Sequence, residues 1–249
     1  MKQSAPRRRR ALALPVAAVP VSGALSVAVA WMGEPVPGVA LAAVLAGVSL
    51  VSLAVVSVSR RRGVVAGPAD TITLLRAALV GACACWAVLT VAGDLPARSW
   101  WLVWLALPAL LLDGLDGVVA RRTGTSSPEG ARLDMETDAA LILVLSVVAA
   151  QVVGPWVLLI GAMRYLWALA ALVRPALGGP LPESRARRVV AAVQGGVLVG
   201  VVAPAVTEWL AVGAAVLALL LLVLSFARDA ITLERAAAGS PAATDRRRR

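Results

Sequence analysis

The sequence predicts an all-α protein, a polytopic bundle of membrane-spanning helices. Hydrophobic residues make up 60% of the 249 residues and charged residues only 15%, and the mean hydropathy is +0.85. A soluble globular domain needs more polar surface than this, and a disordered chain carries far fewer apolar residues. The apolar residues fall into long runs with arginines at their ends. These observations exclude the soluble and the disordered classes.

Eight apolar runs approach or exceed the roughly 20 residues that a transmembrane helix requires. The predicted spans are 11–32, 38–59, 72–93, 99–120, 138–155, 156–173, 189–206 and 207–227. The fifth and sixth runs are nearly continuous, and we divide them at Gly154-Pro155 because proline ends or kinks a helix. The first run has an alternative interpretation, a signal peptide cleaved after Ala30, since it follows four consecutive arginines.

The distribution of arginine predicts the orientation in the membrane. If the N-terminus is cytoplasmic, the predicted inside segments collect the arginines and the outside loops keep only Arg98. This asymmetry follows the positive-inside rule and places both termini in the cytoplasm of a multi-pass cell-membrane protein. It also accounts for the net charge of +10 without a nucleic-acid partner. Tryptophans at the predicted outer ends are typical of an interfacial belt: Trp31, Trp100, Trp101, Trp156 and Trp209.

The residue types present restrict the possible chemistry. Histidine is absent, which excludes Ser-His-Asp and Cys-His nucleophiles and imidazole zinc sites. Cys83 and Cys85 point to different sides of a predicted helix, so we expect two buried free thiols and no mutual disulfide. Carboxylates, arginines and hydroxyls remain as the candidate functional groups.

Acidic residues are concentrated at the end of the fourth predicted span and the start of the fifth. Asp113 and Asp116 share one helix face, and Asp134 and Asp138 share another. Carboxylates at membrane depth are costly, and four of them in one place repel each other unless cations intervene. Hard oxygen ligands favour Mg²⁺ or Mn²⁺. The sequence therefore predicts a divalent-metal site on these four aspartates.

Residues beside the first aspartate pair fit a pyrophosphate. Gly117 and Ala120 lie on the same helix face as that pair and leave room for a bulky group to approach the backbone. Arg121 follows with a planar cation that suits phosphate. Metal, small residues and arginine together indicate a pyrophosphate-containing substrate.

The spacing of these residues resembles the signature of the CDP-alcohol phosphatidyltransferases. The segment reads Asp113-Gly-Leu-Asp116-Gly117-Val-Val-Ala120-Arg121, then eight residues, Gly130, three residues, Asp134, three residues and Asp138. The resemblance implies a six-helix phosphatidyltransferase domain over 68–228. It leaves a basic cytoplasmic N-terminus at 1–10, two additional transmembrane helices within 11–62 and a disordered, basic cytoplasmic tail at 229–249. We expect the additional helices to anchor the chain and to contribute no catalytic residue.

The resemblance also implies roles for individual residues. Asp113, Asp116, Asp134 and Asp138 would hold the metal, and Asp138 would be the general base. Upstream, Asp70-Thr-Ile-Thr73-Leu-Leu-Arg76 is similar to the family's Asn-x-x-Thr-x-x-Arg segment near the cytidine nucleotide, with Asp70 in place of Asn. Arg76 alone could also be an arginine that extends to the membrane surface near a helix end. The residues expected at the CDP and its pyrophosphate are Asp70, Thr73, Gly117, Ala120, Arg121 and Gly130.

Arginines in the later spans are candidates for the acceptor site. Arg164 lies about two turns into the sixth predicted span, where a buried charge needs an anionic partner inside the bundle. In similar enzymes an arginine at this place faces the phosphate of the acceptor alcohol. The cytoplasmic cluster of Arg185, Arg187 and Arg188 resembles a basic stretch that helps to bind the acceptor, although positive-inside orientation also explains it.

The resemblance implies a function in phospholipid biosynthesis. The reaction would be the Mg²⁺-dependent transfer of a phosphatidyl group from CDP-diacylglycerol to a polar alcohol, with release of CMP. Arg164 points to a phosphorylated acceptor such as glycerol 3-phosphate or inositol phosphate. A homodimer in the membrane is a further implication. The alternatives are a membrane prenyltransferase with an aspartate-bound Mg²⁺ site, a divalent-cation transporter and an inactive relative.

Overall fold

The computed structural model describes residues 5–59, 68–123, 128–179 and 184–238, with side chains for 18–56, 71–112, 132–179, 184 and 186–237. Within these ranges the chain forms helices and no strand, so the predicted all-α class is confirmed. The helices are α1 (Ala5–Ala30), α2 (Pro37–Ser59), α3 (Pro68–Ala92), α4 (Trp100–Thr123), α5 (Pro128–Val153), α6 (Leu158–Val173), α7 (Arg185–Val202) and α8 (Glu208–Ala238). Short 3₁₀ turns cover Pro155–Val157 and Pro175–Gly178.

Five segments of the described chain are long and apolar enough to cross a membrane. They are Pro37–Val56, Thr71–Ala92, Arg132–Val153, Pro155–Val173 and Glu208–Ala237. Ala18–Ala30 in α1 and Trp100–Leu112 in α4 are shorter apolar stretches. Helix α7 has 18 residues and begins with an arginine-rich turn. The polytopic character is thereby confirmed, and the total of eight crossings stays a prediction.

The bundle has two chemically different ends. At one end, which we call the loop end, Gly33 lies against Asp94 and Leu95, and the Ser99 N–H donates to the Val202 carbonyl at 3.1 Å. The opposite end, the charged end, is where α3, α5 and α7 begin and α6 and α8 end. The ion pairs described there include Arg76–Asp134, Arg76–Asp138, Arg174–Glu234 and Arg187–Asp229. Trp31, Trp100, Trp101 and Trp209 are exposed around the loop end, as expected of an interfacial belt.

Helix α3 is the centre of the bundle. Of its apolar span 78% is buried inside the protein, against 17–44% for the other four spans. It contacts α1, α2, α4 and α5. Small residues line much of its surface between Ala77 and Cys85, which lets neighbouring backbones approach closely. Cys83 and Cys85 are buried free thiols there, as predicted.

The junction between α5 and α6 confirms the predicted division at Gly154-Pro155. Gly154 has φ 101° and ψ 163°, a conformation that is accessible essentially to glycine alone. Pro155 then opens a 3₁₀ turn in which the Trp156 indole N–H donates to the Val153 carbonyl at 2.8 Å. The Gly154 conformation and the 3₁₀ turn together reverse the chain within a few residues, so that α6 packs against α5.

Several helices extend beyond their predicted spans at the charged end, and the extensions of α5 and α8 are the longest. Helix α5 begins at Pro128 instead of near Asp138, so Asp134 and Asp138 lie inside the helix and do not cap its start. Helix α8 continues to Ala238, so residues 229–238 of the expected disordered tail are helical. The remaining tail, 239–249, lies outside the described residues. Both extensions carry charged side chains beyond the apolar part of the bundle.

Replacing Gly154 tests the chain reversal. We expect Gly154→Ala to destabilise the fold by about 1–3 kcal/mol, because a Cβ is strained at this φ and ψ. The midpoint of thermal unfolding in detergent should fall. Gly213→Ala is the matched control, since a Cβ at this helical glycine of α8 meets nothing within 4 Å. Equal unfolding midpoints for the two variants would contradict the conformational requirement.

Candidate active site

The first feature of the site is a pair of carboxylates on α5. Asp134 and Asp138 are four residues apart, so their side chains follow one another on the same helix face. The exposed fractions of the two side chains are 32% and 37%. Each carboxylate therefore has one side packed against the protein and another side accessible. Two acidic groups this close repel each other unless a cation lies between them.

Arg76 of α3 supplies that cation. One guanidinium nitrogen, Nη1, donates to Asp134 Oδ1, and Nη2 donates to Asp138 Oδ1 at 2.9 Å. Nη2 also lies 3.4 Å from the Asp134 carbonyl oxygen. The Arg76 side chain is completely buried, which makes it the inner wall of the site. The planar fork of arginine can bind two carboxylates at once, and lysine would offer only a single charged nitrogen.

The burial of Arg76 rules out one of its two sequence interpretations. An arginine that extends to the membrane surface keeps its charged head in water, whereas the Arg76 side chain has no exposed area. A buried cation of this kind must be paired, and Asp134 and Asp138 are its anionic partners. The structure thus joins the Asp70–Arg76 segment to the second half of the aspartate signature.

The first half of the predicted metal site lies outside the described side chains. Asp113 and Asp116 are in the C-terminal part of α4, which packs against α3 and also contacts α5. Among the side chains that are described, no group of three or more potential metal ligands occurs. The side chains of Asp134 and Asp138 are nevertheless about one third exposed, and carboxylate oxygens are the ligands that Mg²⁺ and Mn²⁺ prefer. This donor chemistry fits the predicted cation.

The predicted pyrophosphate and nucleotide residues flank the carboxylate pair in sequence. Thr73 is 8% exposed and lies three residues before Arg76, on the same side of α3. The backbone of the other predicted residues belongs to α3, α4 and α5, but their side chains lie outside the described set: Asp70, Gly117, Ala120, Arg121 and Gly130. Their roles stay predictions.

Arg164 has the anionic partner that its depth in the sixth span predicted. Its Nη2 lies 2.9 Å from Glu136 Oε1, and the two side chains are 41% and 50% exposed. Glu136 falls between Asp134 and Asp138 in sequence but on a different face of α5. Helix α5 therefore carries Asp134 and Asp138 toward α3 and Glu136 toward α6. Ion pairs with this exposure are weak, so Arg164 can exchange its partner at low cost.

A cavity of about 430 Å³ opens between α7 and α8 at the charged end. Arg187 lines it and binds Asp229 at 3.3 Å. Its other polar lining residues are Ser184, Ser225, Arg228 and Thr232, and its apolar ones are Ala186, Val190, Leu221 and Leu224. Of the predicted acceptor residues, Arg188 is exposed on this first turn of α7, and the side chain of Arg185 lies outside the described set. The cavity thus has polar and apolar walls, and Arg187 is the member of the predicted basic cluster that lines it.

The sequence did not identify several of these contacts. Arg76 was given two interpretations, and its pairing with Asp134 and Asp138 joins residues 58 and 62 positions apart. Gln194, 2% exposed, was not singled out, and its Nε2 donates to the Ala218 carbonyl at 2.9 Å, joining α7 to α8. The motif spacing was the available signal for Arg76. A lone glutamine in an apolar run gives a weaker signal of an interhelical hydrogen bond.

Comparison with known proteins identifies a family match for the segment that contains this site. The sequence model of the CDP-alcohol phosphatidyltransferase family matches residues 66–226, from just before α3 into α8. No curated protein and no solved structure matches the chain. The matched segment contains all four aspartates of the predicted metal site, Arg76 and Arg164, and it excludes α1 and α2. Members of this family are membrane transferases of phospholipid biosynthesis, and the chain belongs to the CDP-alcohol phosphatidyltransferase family.

Proposed function

We propose that the protein transfers the phosphatidyl group of CDP-diacylglycerol to a polar alcohol and releases CMP. The observation that carries this proposal is the Asp134–Asp138 pair, braced from inside by Arg76 and accessible on its outer side. The pair completes the aspartate signature inside a segment that matches the family. Family membership favours this reaction over a prenyltransferase or a cation transporter.

Asp113, Asp116, Asp134 and Asp138 would together hold a divalent cation, Mg²⁺ or Mn²⁺. When bound, the cation neutralises the pyrophosphate of the donor and stabilises the departing CMP. Gly117 and Ala120 would leave space for the pyrophosphate, and Arg121 would bind a phosphate oxygen. Asp70, Thr73 and Gly130 would lie at the cytidine end of the donor.

Asp138 is the proposed general base. The Asp138 side chain is 37% exposed, and an ionised carboxylate acts only as an acceptor, so it can take up the proton of an acceptor hydroxyl. The acceptor hydroxyl would lose its proton to Asp138 as its oxygen forms a bond to the lipid-side phosphorus. The bond between that phosphorus and the bridging oxygen breaks, and CMP leaves with the electron pair. Arg76 would keep the carboxylate oriented during this step.

The acceptor would be bound by arginine side chains. A phosphate on the acceptor could replace Glu136 at Arg164, because their partly exposed ion pair is weak. Charged groups at this depth are stable only in a cavity that excludes lipid, which favours an acceptor path between α5 and α6. Arg185 and Arg188 would attract the acceptor at the entrance. This arrangement favours glycerol 3-phosphate or inositol phosphate over an uncharged alcohol.

The charged end would face the cytoplasm, with both termini on that side. This end contains Arg121 and Arg122 at the end of α4, the arginine-rich start of α7 and the end of α8, in agreement with the positive-inside rule. Nucleotide and polar acceptor would then both reach the aspartates from the cytoplasm. The homodimer stays a prediction.

Exchange of the general base tests the proposed chemistry. We expect Asp138→Asn to lower kcat for acceptor-dependent CMP release by about 10²–10⁴-fold, the usual contribution of general base catalysis. CMP release from CDP-diacylglycerol would be measured with Mg²⁺ and, separately, glycerol 3-phosphate, inositol phosphate, glycerol and serine. Asp94→Asn, at the loop end, is the matched control and should retain the rate of the wild-type protein. A fully active Asp138→Asn variant would remove Asp138 from the mechanism.

Exchange of Arg164 tests the acceptor site. Loss of a charge-assisted hydrogen bond of about 1.5–3 kcal/mol corresponds to a rise in KM of roughly 10–100-fold. We expect Arg164→Gln to raise KM for a phosphorylated acceptor by this factor and to leave KM for CDP-diacylglycerol nearly unchanged. Arg174→Gln, which removes an exposed ion pair with Glu234, is the control. Equal effects of Arg164→Gln on both substrates would indicate a general structural role.

A further inference from the structure

We propose that the α1–α2 hairpin is a brace that positions Arg76 for catalysis and does more than anchor the chain. This inference rests on the proposed function for its kinetic part. The hairpin precedes the segment that matches the family, so its role is a property of this chain. Three sets of contacts between the hairpin and the catalytic helices carry the argument.

The first contact is a close approach of α2 and α3. A Cβ added to Gly81 would lie 2.5 Å from the Gly47 carbonyl oxygen, and one added to Gly47 would lie 2.8 Å from the Gly81 carbonyl oxygen. Real Cβ atoms do not approach backbone atoms this closely, so only glycine permits this spacing of the two helices. Gly81 lies five residues after Arg76 on α3. The position of α3 is therefore fixed against α2 little more than one helical turn from Arg76.

The second contact adds α1 to the same junction. Ser22 and Ser26 are completely buried, and the Ser22 hydroxyl donates to the Gly47 carbonyl at 3.4 Å. The Cys85 thiol lies 3.3 Å from the Ser26 carbonyl. Small side chains and interhelical hydrogen bonds of this kind hold helices together in a membrane, where apolar burial supplies little driving force. The hairpin and α3 thus form one packed unit.

The third contact reaches the wall of the active site. An apolar cluster separate from the main core joins Val51 and Ala54 of α2 to Leu74, Ala77 and Ala78 of α3 and Leu133 of α5. Leu74 and Ala77 flank Arg76, and Leu133 precedes Asp134. The hairpin therefore packs against both helices whose side chains form the Arg76–Asp134 pair.

These contacts explain how Arg76 can be completely buried at a site that must admit substrate. Removing side-chain volume from α2 would loosen the apolar cluster and open a path for water to the guanidinium. The Arg76 guanidinium would then no longer hold both carboxylates in place, because binding two of them at once requires α3 and α5 to keep fixed positions. The hairpin itself supplies no group that touches the substrate, so its residues are positioning residues.

A glycine exchange tests the brace without relying on activity. Phenylglyoxal modifies accessible arginine side chains, and peptide mass spectrometry of the full-length protein would report the fraction modified at Arg76. We expect Arg76 to be protected in the wild-type protein and modified at least fivefold faster in Gly47→Ala. Gly38→Ala is the matched control on the same helix, since a Cβ there meets nothing within 4 Å. Equal protection of Arg76 in the folded Gly47→Ala and Gly38→Ala variants would overturn the proposal.

A second pair of variants tests the proposal if Gly47→Ala does not fold. Val51→Ala removes a fully buried side chain from the apolar cluster, and Val56→Ala removes a 44% exposed one from the same helix. We expect Val51→Ala to lower kcat for CMP release about tenfold with little change in KM for CDP-diacylglycerol. Val56→Ala should keep the kcat of the wild-type protein. Equal kcat values for the two variants would overturn the kinetic part of the proposal.

A double-mutant cycle separates positioning of Arg76 from general loosening of the protein. If the hairpin acts through Arg76, Val51→Ala should cost little further kcat once Arg76→Lys has removed the fork. Independent, multiplicative losses would show a merely structural role and overturn the proposal. A wild-type protein that releases no CMP with any acceptor would contradict the proposed function instead, and Arg76 protection would then still decide the brace.

Discussion

The contact on which the site depends is the buried ion pairing of Arg76 with Asp134 and Asp138. Three charges placed inside a helical membrane protein are stable only if they compensate one another. The pairing requires α3 and α5 to hold a fixed register, because each nitrogen of the fork binds a different carboxylate. The pairing also orients the site, because the guanidinium lies inside the protein and the two aspartate side chains are partly exposed on its outer side. In the proposed reaction, substrate would therefore approach from the outer side.

The packing around α3 follows from the same constraint. A helix that carries a completely buried arginine must be surrounded, and α1, α2, α4 and α5 all contact it. Small residues on α3 let the neighbouring helices pack closely against it. The approach of α2 is one example, because a Cβ added to Gly81 would lie 2.5 Å from the Gly47 carbonyl oxygen. The other helices have a different role. Helix α6 carries Arg164, whose ion pair with Glu136 is about half exposed, and α7 and α8 are joined by the less exposed Arg187–Asp229 pair.

The sequence predicted the helical class, the family and the Gly154 junction because each depends on local order along the chain. Periodicity alone put Asp134 and Asp138 on one face of a helix, and the depth of Arg164 required an anion. The sequence could not identify Glu136 as the partner of Arg164, nor the two carboxylates that bind Arg76, because these contacts join positions that are far apart in the chain. The start of α5 at Pro128 was missed because hydropathy marks only the apolar part of a helix. The hairpin was considered an anchor because it contains no internal charge, and its effect on Arg76 depends on close packing.

The most direct test of the central claim is a product balance for the purified full-length protein. CMP and phospholipid would be measured together after incubation with CDP-diacylglycerol, a phosphorylated alcohol and Mg²⁺. The account predicts that CMP and phospholipid form in equal molar amounts, and only when donor, acceptor and Mg²⁺ are all present. CMP that forms at the same rate without an acceptor, or without a phospholipid product, would contradict transfer as the activity of this site.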